Sequence, residues 1–133
     1  MKHEEPPTLL VIEDDEELRR LMKLNHGLRG FRVETAAYEE DAVRVARLNP
    51  PDIILIEMGG PARRMLETAV RVREAAGLPI HTTIIVYANR PDELAAEGRE
   101  VAAGLHEFVI LPVDSEQLEE FISGHMAREK KAA

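Results

Sequence analysis

The residues best able to do chemistry in this chain are acids that follow short apolar runs. Glu13, Asp14 and Asp15 come directly after the run 8–12, and Glu57 comes directly after the run 53–56. Continuous apolar runs of this length suit strands buried on both faces, so these carboxylates sit at strand ends. Two further runs end in Tyr87-Ala88 and in Leu111-Pro112. In an open sheet of parallel strands, ligands gather outside the carboxyl ends of the strands. Carboxylates brought together there either hold a hard cation such as Mg²⁺ or raise one another's pKa. Asp15 has a plainer role open to it, as the cap of the helix that starts there.

The elements that must position these acids can be read from two alternating periodicities. Segments 8–12, 31–36, 52–57, 82–87 and 108–111 read as strands, the second of them nearer an edge. Between them, 15–29, 39–48, 63–76 and 91–103 carry apolar residues at helical spacing, and a last helix follows Asp114. Leu18, Leu21, Met22 and Leu28 pattern the first helix, and Glu16 stands four residues before Arg20 for a surface pair. Gly30, Gly77 and Gly104 are placed to end helices. Asn49-Pro50-Pro51 breaks the second helix, and Pro91 suits the first turn of the fourth. Asp114 and Gln117 have capping-box spacing. Five strands alternate strictly with five helices, which predicts a single doubly wound α/β domain with a parallel sheet in order 2-1-3-4-5. The domain is expected over 8–126, with a disordered segment 1–7 before it and a polar tail 127–133 that frays.

Composition narrows the function. The 133 residues fit one domain. The chain contains no cysteine, which excludes disulfides and thiolate metal sites. Its formal net charge of −8 repels phosphate backbones and argues against direct nucleic-acid binding. No apolar run is long enough to span a bilayer and the N-terminus lacks a signal-peptide core, so a cytoplasmic protein is expected. His3, His26, His81, His106 and His125 show no ligand spacing and read as surface or partly packed side chains. Arg19-Arg20 and Arg63-Arg64 read as solvated helix faces. Neither a P-loop nor a dinucleotide fingerprint occurs, and the loop after the first strand is too acidic for a flavin phosphate.

Three stretches carry a family resemblance. Leu9-Leu10-Val11-Ile12-Glu13-Asp14-Asp15 resembles the first strand and acidic pair of response-regulator receiver domains, the CheY-like family. Pro51-Asp52-Ile53-Ile54-Leu55-Ile56-Glu57-Met58, with Pro61 beyond it, resembles the third strand and phosphorylation loop. Residues 104–112 resemble the segment that carries a lysine just before a proline. The resemblance covers about Thr8 to Met126 and implies a flavodoxin-like fold and a role in two-component signal transduction, as part of a phosphorelay. It places Glu13 and Asp14 at the metal-binding acids, Gly59 at the position whose carbonyl joins the metal, and Glu57 at the phospho-acceptor. Tyr87 falls at the hydroxyl switch position, Phe108 at the aromatic switch position and Leu111 at the lysine.

The departures from that pattern decide the expectation. Glu57 is longer than aspartate by one methylene, roughly 1.5 Å, and in-line transfer tolerates little misplacement. Tyr87 offers no short hydroxyl, and Leu111 removes the cation that would neutralise a phosphoryl group. Losing all three points to an atypical receiver that is not an enzyme, requires no cofactor and works by phosphorylation-independent protein–protein interaction. Glu57 then either imitates the charged acceptor or is a polar remnant. Without the lysine, the acid cluster should raise at least one pKa or recruit a cation, and weak Mg²⁺ or Ca²⁺ binding by Glu13, Asp14, Glu57 and the Gly59 carbonyl stays open. The expected partner surface, for another protein, an output domain or a second copy, runs from about Asp92 to Met126. Two other readings remain: a working receiver that uses Asp14 or Asp15 as acceptor, and a carboxylate–Mg²⁺ phosphohydrolase.

Overall fold

The computed structural model describes residues 6–88, 101–110 and 114–132. The chain runs β1 (Thr8–Ile12), α1 (Glu16–Leu28), β2 (Arg32–Ala36), α2 (Glu39–Leu48), β3 (Ile53–Ile56), α3 (Ala62–Ala75), β4 (Thr83–Tyr87), β5 (Val101–Ala102), β6 (Glu107–Ile110) and α4 (Ser115–Ala132). The sheet order is β2-β1-β3-β4-β6-β5. Strands β2, β1, β3, β4 and β6 are parallel and reproduce the expected 2-1-3-4-5 arrangement.

Strand alternation divides the core between two faces. Leu10, Ile12, Ile54, Ile56, Ile84, Val86 and Val109 point to one side, where Ala42 and Ala46 of α2 and Met65, Ala69 and Val72 of α3 cover them. Leu9, Val11, Ile53, Leu55, Ile85, Tyr87 and Ile110 point to the other, with Met22 of α1 and Leu118 and Ile122 of α4. Burial on both faces is why these strands read as unbroken apolar runs.

Local signals explain the element ends. The Asp15 carboxylate accepts the Leu18 N–H at 2.8 Å and starts α1. Gly30 follows that helix with φ 97°, and Gly77 follows α3 with φ 70°, both in the left-handed region that favours glycine. The Gln117 N–H donates to Asp114 at 2.8 Å and the Asp114 N–H donates to Gln117 at 3.1 Å, a reciprocal capping box at the start of α4. The surface pair Glu16–Arg20 forms at 3.1 Å. Arg71 of α3 grips Glu39 of α2 through two nitrogens, and the guanidinium holds that carboxyl below its usual range.

Several expectations need correction. Residues 101–102, expected to end the fourth helix, form β5 instead, antiparallel to β6, with Val101 opposite Val109. A β-branched residue just before the turn at Gly104 suits a hairpin, and the pairing covers the free edge of β6. The rest of that expected helix, from Pro91, lies outside the described residues. Helix α4 continues to Ala132, through the segment expected as a frayed tail. Its last residues are Arg128, Glu129, Lys130, Lys131 and Ala132, good helix formers with no Gly or Pro to stop them.

Of the residues that pattern helix α1 in the sequence, only Met22 is buried. Met22 and His26 face the core, while Leu18, Leu21, Leu24 and Leu28 are exposed. His26 is therefore buried, edge-on to Phe31 with ring centroids 6.2 Å apart. Its Nδ1 has no hydrogen-bond partner, and burial pushes the imidazole below its usual pKa.

A buried ion pair closes the amino-terminal end of the sheet. Arg73 Nη1 lies 3.1 Å from Glu107 Oε2 and also donates to the Thr82 carbonyl. The same carboxylate accepts the His106 N–H. A methyl group at Gly104 would meet the Glu107 carboxylate and force that side chain to shift.

Candidate functional site

At the opposite end, the carboxyl ends of β1 and β3 meet. The register pairs Ile12 with Ile56, and the ladder runs one residue further. The Glu57 N–H donates to the Ile12 carbonyl at 2.9 Å, and the Glu13 N–H donates to the Ala36 carbonyl at 3.0 Å. Glu13 and Glu57 are thus fixed side by side. Both are buried, at 3% and 7% exposure.

Their buried carboxyls perturb each other's ionisation. Two buried carboxyls side by side favour keeping a proton between them over ionising together. Burial is the main reason the Glu13 pKa is pushed up to about 8, opposed by the Asp15 N–H that donates to Oε2 at 3.3 Å. Asp14 and Glu57 raise it further. Burial also raises Glu57, and the bond from Glu13 works against that rise. Burial thus favours retention of a proton by the Glu13–Glu57 pair at neutral pH.

The neighbouring positions are accounted for as follows. Asp14 is exposed at the pocket rim and Asp15 serves as the helix cap. Gly59 is exposed in the loop between β3 and α3, where Gly60 has φ 111°. The Met58 N–H points to Met65 Sδ at 3.3 Å, which anchors that loop to α3. Tyr87 is buried in the apolar cluster with Ile110, Leu118 and Ile122. Phe108 is buried and meets Phe121 of α4 edge-on, with ring centroids 5.5 Å apart. Leu111 lies outside the described residues. So does Val113, part of the expected partner face.

A divalent ion does not fit these acids as they stand. Mg²⁺ needs free carboxylate oxygens. Here Glu13 and Glu57 are buried and favour keeping a proton, and Asp14, which also raises the Glu13 pKa, is exposed. Among the described residues, no group of three or more Asp, Glu or His side chains is set to hold a metal ion. The expected residues Glu13, Asp14 and Glu57 do not form such a group.

One participant escaped the sequence reading. Arg19, expected on a solvated face, is half-buried and donates from Nη1 to the Glu13 carbonyl at 2.8 Å. It ties α1 to the pocket backbone. Its position four residues after Asp15 is the only local signal for this contact.

No protein-family profile matches the chain. The transcriptional regulatory protein AfsQ1 of Streptomyces coelicolor is 33% identical over 122 residues, which is 92% of this chain and 52% of that protein. The positive alginate biosynthesis regulatory protein of Pseudomonas aeruginosa is 32% identical over 115 residues, 84% of this chain and 44% of that protein. Among solved structures, a CheY-like response regulator receiver domain from Methylobacillus flagellatus matches with TM-score 0.68 at 18% identity, over 90% of this chain and 98% of that one. The chemotaxis protein CheY4 of Vibrio cholerae matches with TM-score 0.65 at 21% identity, over 89% and 97%.

The chain is a response-regulator receiver domain. It spans about half the length of the curated relatives it matches. The structural likeness carries the fold, and the alignment with the regulators carries the family. Among the described residues of this receiver domain, no helix is long and apolar enough to cross a membrane.

Proposed function

We propose that this receiver domain signals in the cytoplasm by protein–protein contact and without being phosphorylated. The observation that carries this reading is the Glu13–Glu57 carboxyl pair. Phosphoryl transfer to a receiver requires a free, ionised acceptor and a metal beside it. Glu57, at the acceptor position, is buried, and burial raises its pKa. Glu13, at a metal position, is buried beside it with its own pKa raised.

The other departures support the same reading. Tyr87 fills the switch position as a packed core residue, and Leu111 brings no cation. Phe108, at the aromatic switch position, is held against Phe121. A surface built around these residues stays in one state, so a partner reads a fixed conformation. The partner is an output domain or a separate regulatory protein that docks on the face formed by β6 and α4, and the acidic balance of the chain keeps nucleic acid away from the domain itself.

The test is the intact mass of the protein after incubation with a small-molecule phosphodonor and Mg²⁺. No phosphoryl adduct is expected under conditions that fully modify a conventional receiver. A stoichiometric adduct would overturn the proposal, and mapping it to Asp14 or Asp15 would identify the acid that took over.

A further inference from the structure

The amino-terminal end of the sheet brings two histidines together. His81 stands shortly before β4 and His106 directly before β6, far apart in sequence. Their ring centres are 6.5 Å apart and their planes meet at 72°. His81 is exposed and His106 half-buried, so solvent reaches the pair.

The backbone under both rings is fixed by one buried group. Arg73 donates from Nη1 to the Thr82 carbonyl and to the Glu107 carboxylate, each at 3.1 Å. Those acceptors belong to the residues that follow His81 and His106. The Thr82 N–H donates to the Pro79 carbonyl at 3.0 Å and closes the turn that carries His81. The Ala103 N–H donates to the Glu107 carbonyl at 2.8 Å and closes the hairpin that carries His106, whose own carbonyl accepts the Ile84 N–H at 2.8 Å. Two imidazoles on a scaffold held in this way lose little freedom on gaining a common ligand.

We propose that His81 and His106 form a two-imidazole site for a transition-metal dication of the Zn²⁺, Cu²⁺ or Ni²⁺ class. Neutral imidazole suits these ions, whereas Mg²⁺ and Ca²⁺ take oxygen ligands. An ion about 2 Å from one nitrogen of each ring sets the ring centres roughly 5–6 Å apart. The pair reaches that spacing from 6.5 Å by side-chain rotation, and the exposed His81 is the ring that turns. Each imidazole gives one nitrogen to the ion and keeps the other for a hydrogen bond that orients it. The Glu107 carboxylate is engaged by Arg73, so water fills the remaining positions on the metal. The net charge of −8 favours a cation over the whole surface. The ion ties the turn before β4 to the β5–β6 hairpin, at the opposite end of the sheet from Glu13 and Glu57.

Zn²⁺ serves as the probe. The full, untagged chain is titrated with it by calorimetry slightly above neutral pH, where unperturbed imidazoles are neutral, and the histidine ring nitrogens are followed by NMR. The expected results are one Zn²⁺ per chain with micromolar affinity, shifts at the rings of His81 and His106, and an unfolding temperature that rises with Zn²⁺. Excess Mg²⁺ should not compete. His81→Ala and His106→Ala should each weaken binding by at least about tenfold and abolish the thermal rise, with the metal-free unfolding temperature little changed. Three results would overturn the proposal: no shift at either ring in millimolar Zn²⁺, an affinity unchanged in either variant, or competition by Mg²⁺. The second would move the ion to another histidine, and the third would move it to carboxylates.

Discussion

Replacing Glu13 by glutamine is expected to stabilise the domain by roughly 4 kcal/mol at pH 8 while changing little at pH 4.5. The Glu13 pKa rises from 4.5 in the unfolded chain to about 8 in the native pocket. Between those values the native state keeps a proton that the unfolded state has released. Wild-type stability therefore falls as pH rises across this window, by up to about 1.4 kcal/mol per pH unit. Above the native value the whole penalty is present, and below 4.5 it vanishes. Glutamine cannot ionise, and its amide can still donate to Glu57. Urea unfolding across this range should show a wild-type midpoint that declines with pH and a Glu13→Gln midpoint that declines far less. At pH 8 the two should differ by roughly 2 M urea. Equal slopes would mean that Glu13 is ionised in the native state.

Glu107→Ala is expected to cost about 3 kcal/mol, because it leaves the Arg73 guanidinium buried without its counter-charge. Arg73 keeps the Thr82 carbonyl as its remaining acceptor. The Glu107 carboxylate is 19% exposed, which places the cost at the lower end of what breaking a buried pair entails. The double variant Arg73→Met, Glu107→Leu should recover most of the loss, since an apolar pair of similar size carries no desolvation cost. Chemical denaturation of both variants checks this. A loss in the double variant as large as in Glu107→Ala would show that the pair is needed for its hydrogen bonds to Thr82 and His106.

The sheet was legible because its central strands are buried on both faces. Runs such as 9–12 and 53–56 have no reading other than a covered strand, and the acids that follow them had to meet at one end. The meeting of Glu13 with Glu57, and a raised pKa as one consequence, follows from that placement. What the sequence left open was whether a proton or a cation would answer the crowding. That depends on how far burial closes the pocket, which no local pattern encodes.

Elsewhere the pattern was visible and its direction was not. Leu18, Leu21, Met22 and Leu28 lie at helical spacing, but periodicity only says that a face is apolar. The way α1 docks on the sheet buries Met22 with His26 and leaves the leucines outside. The hairpin at 101–102 was hidden because Val101 and Ala102 also fit a helical face, and only pairing with β6 selects the strand. Arg73 and Glu107 are 34 residues apart, and the tertiary fold alone brings them together. Arg19 reaches the Glu13 carbonyl for the same reason, across the turn between β1 and α1.

In the proposed reading, Glu13 and Glu57 keep a proton between them where a conventional receiver domain would hold a metal ion and an acceptor. This is tested most directly by following the glutamate side-chain carboxyl carbons by NMR as pH is varied, with and without Mg²⁺. Glu13 is expected to titrate near pH 8, and Mg²⁺ is expected to leave both carboxyl signals unmoved at neutral pH. Glu13 and Glu57 both titrating in the ordinary glutamate range, with saturable shifts on adding Mg²⁺, would contradict the shared proton.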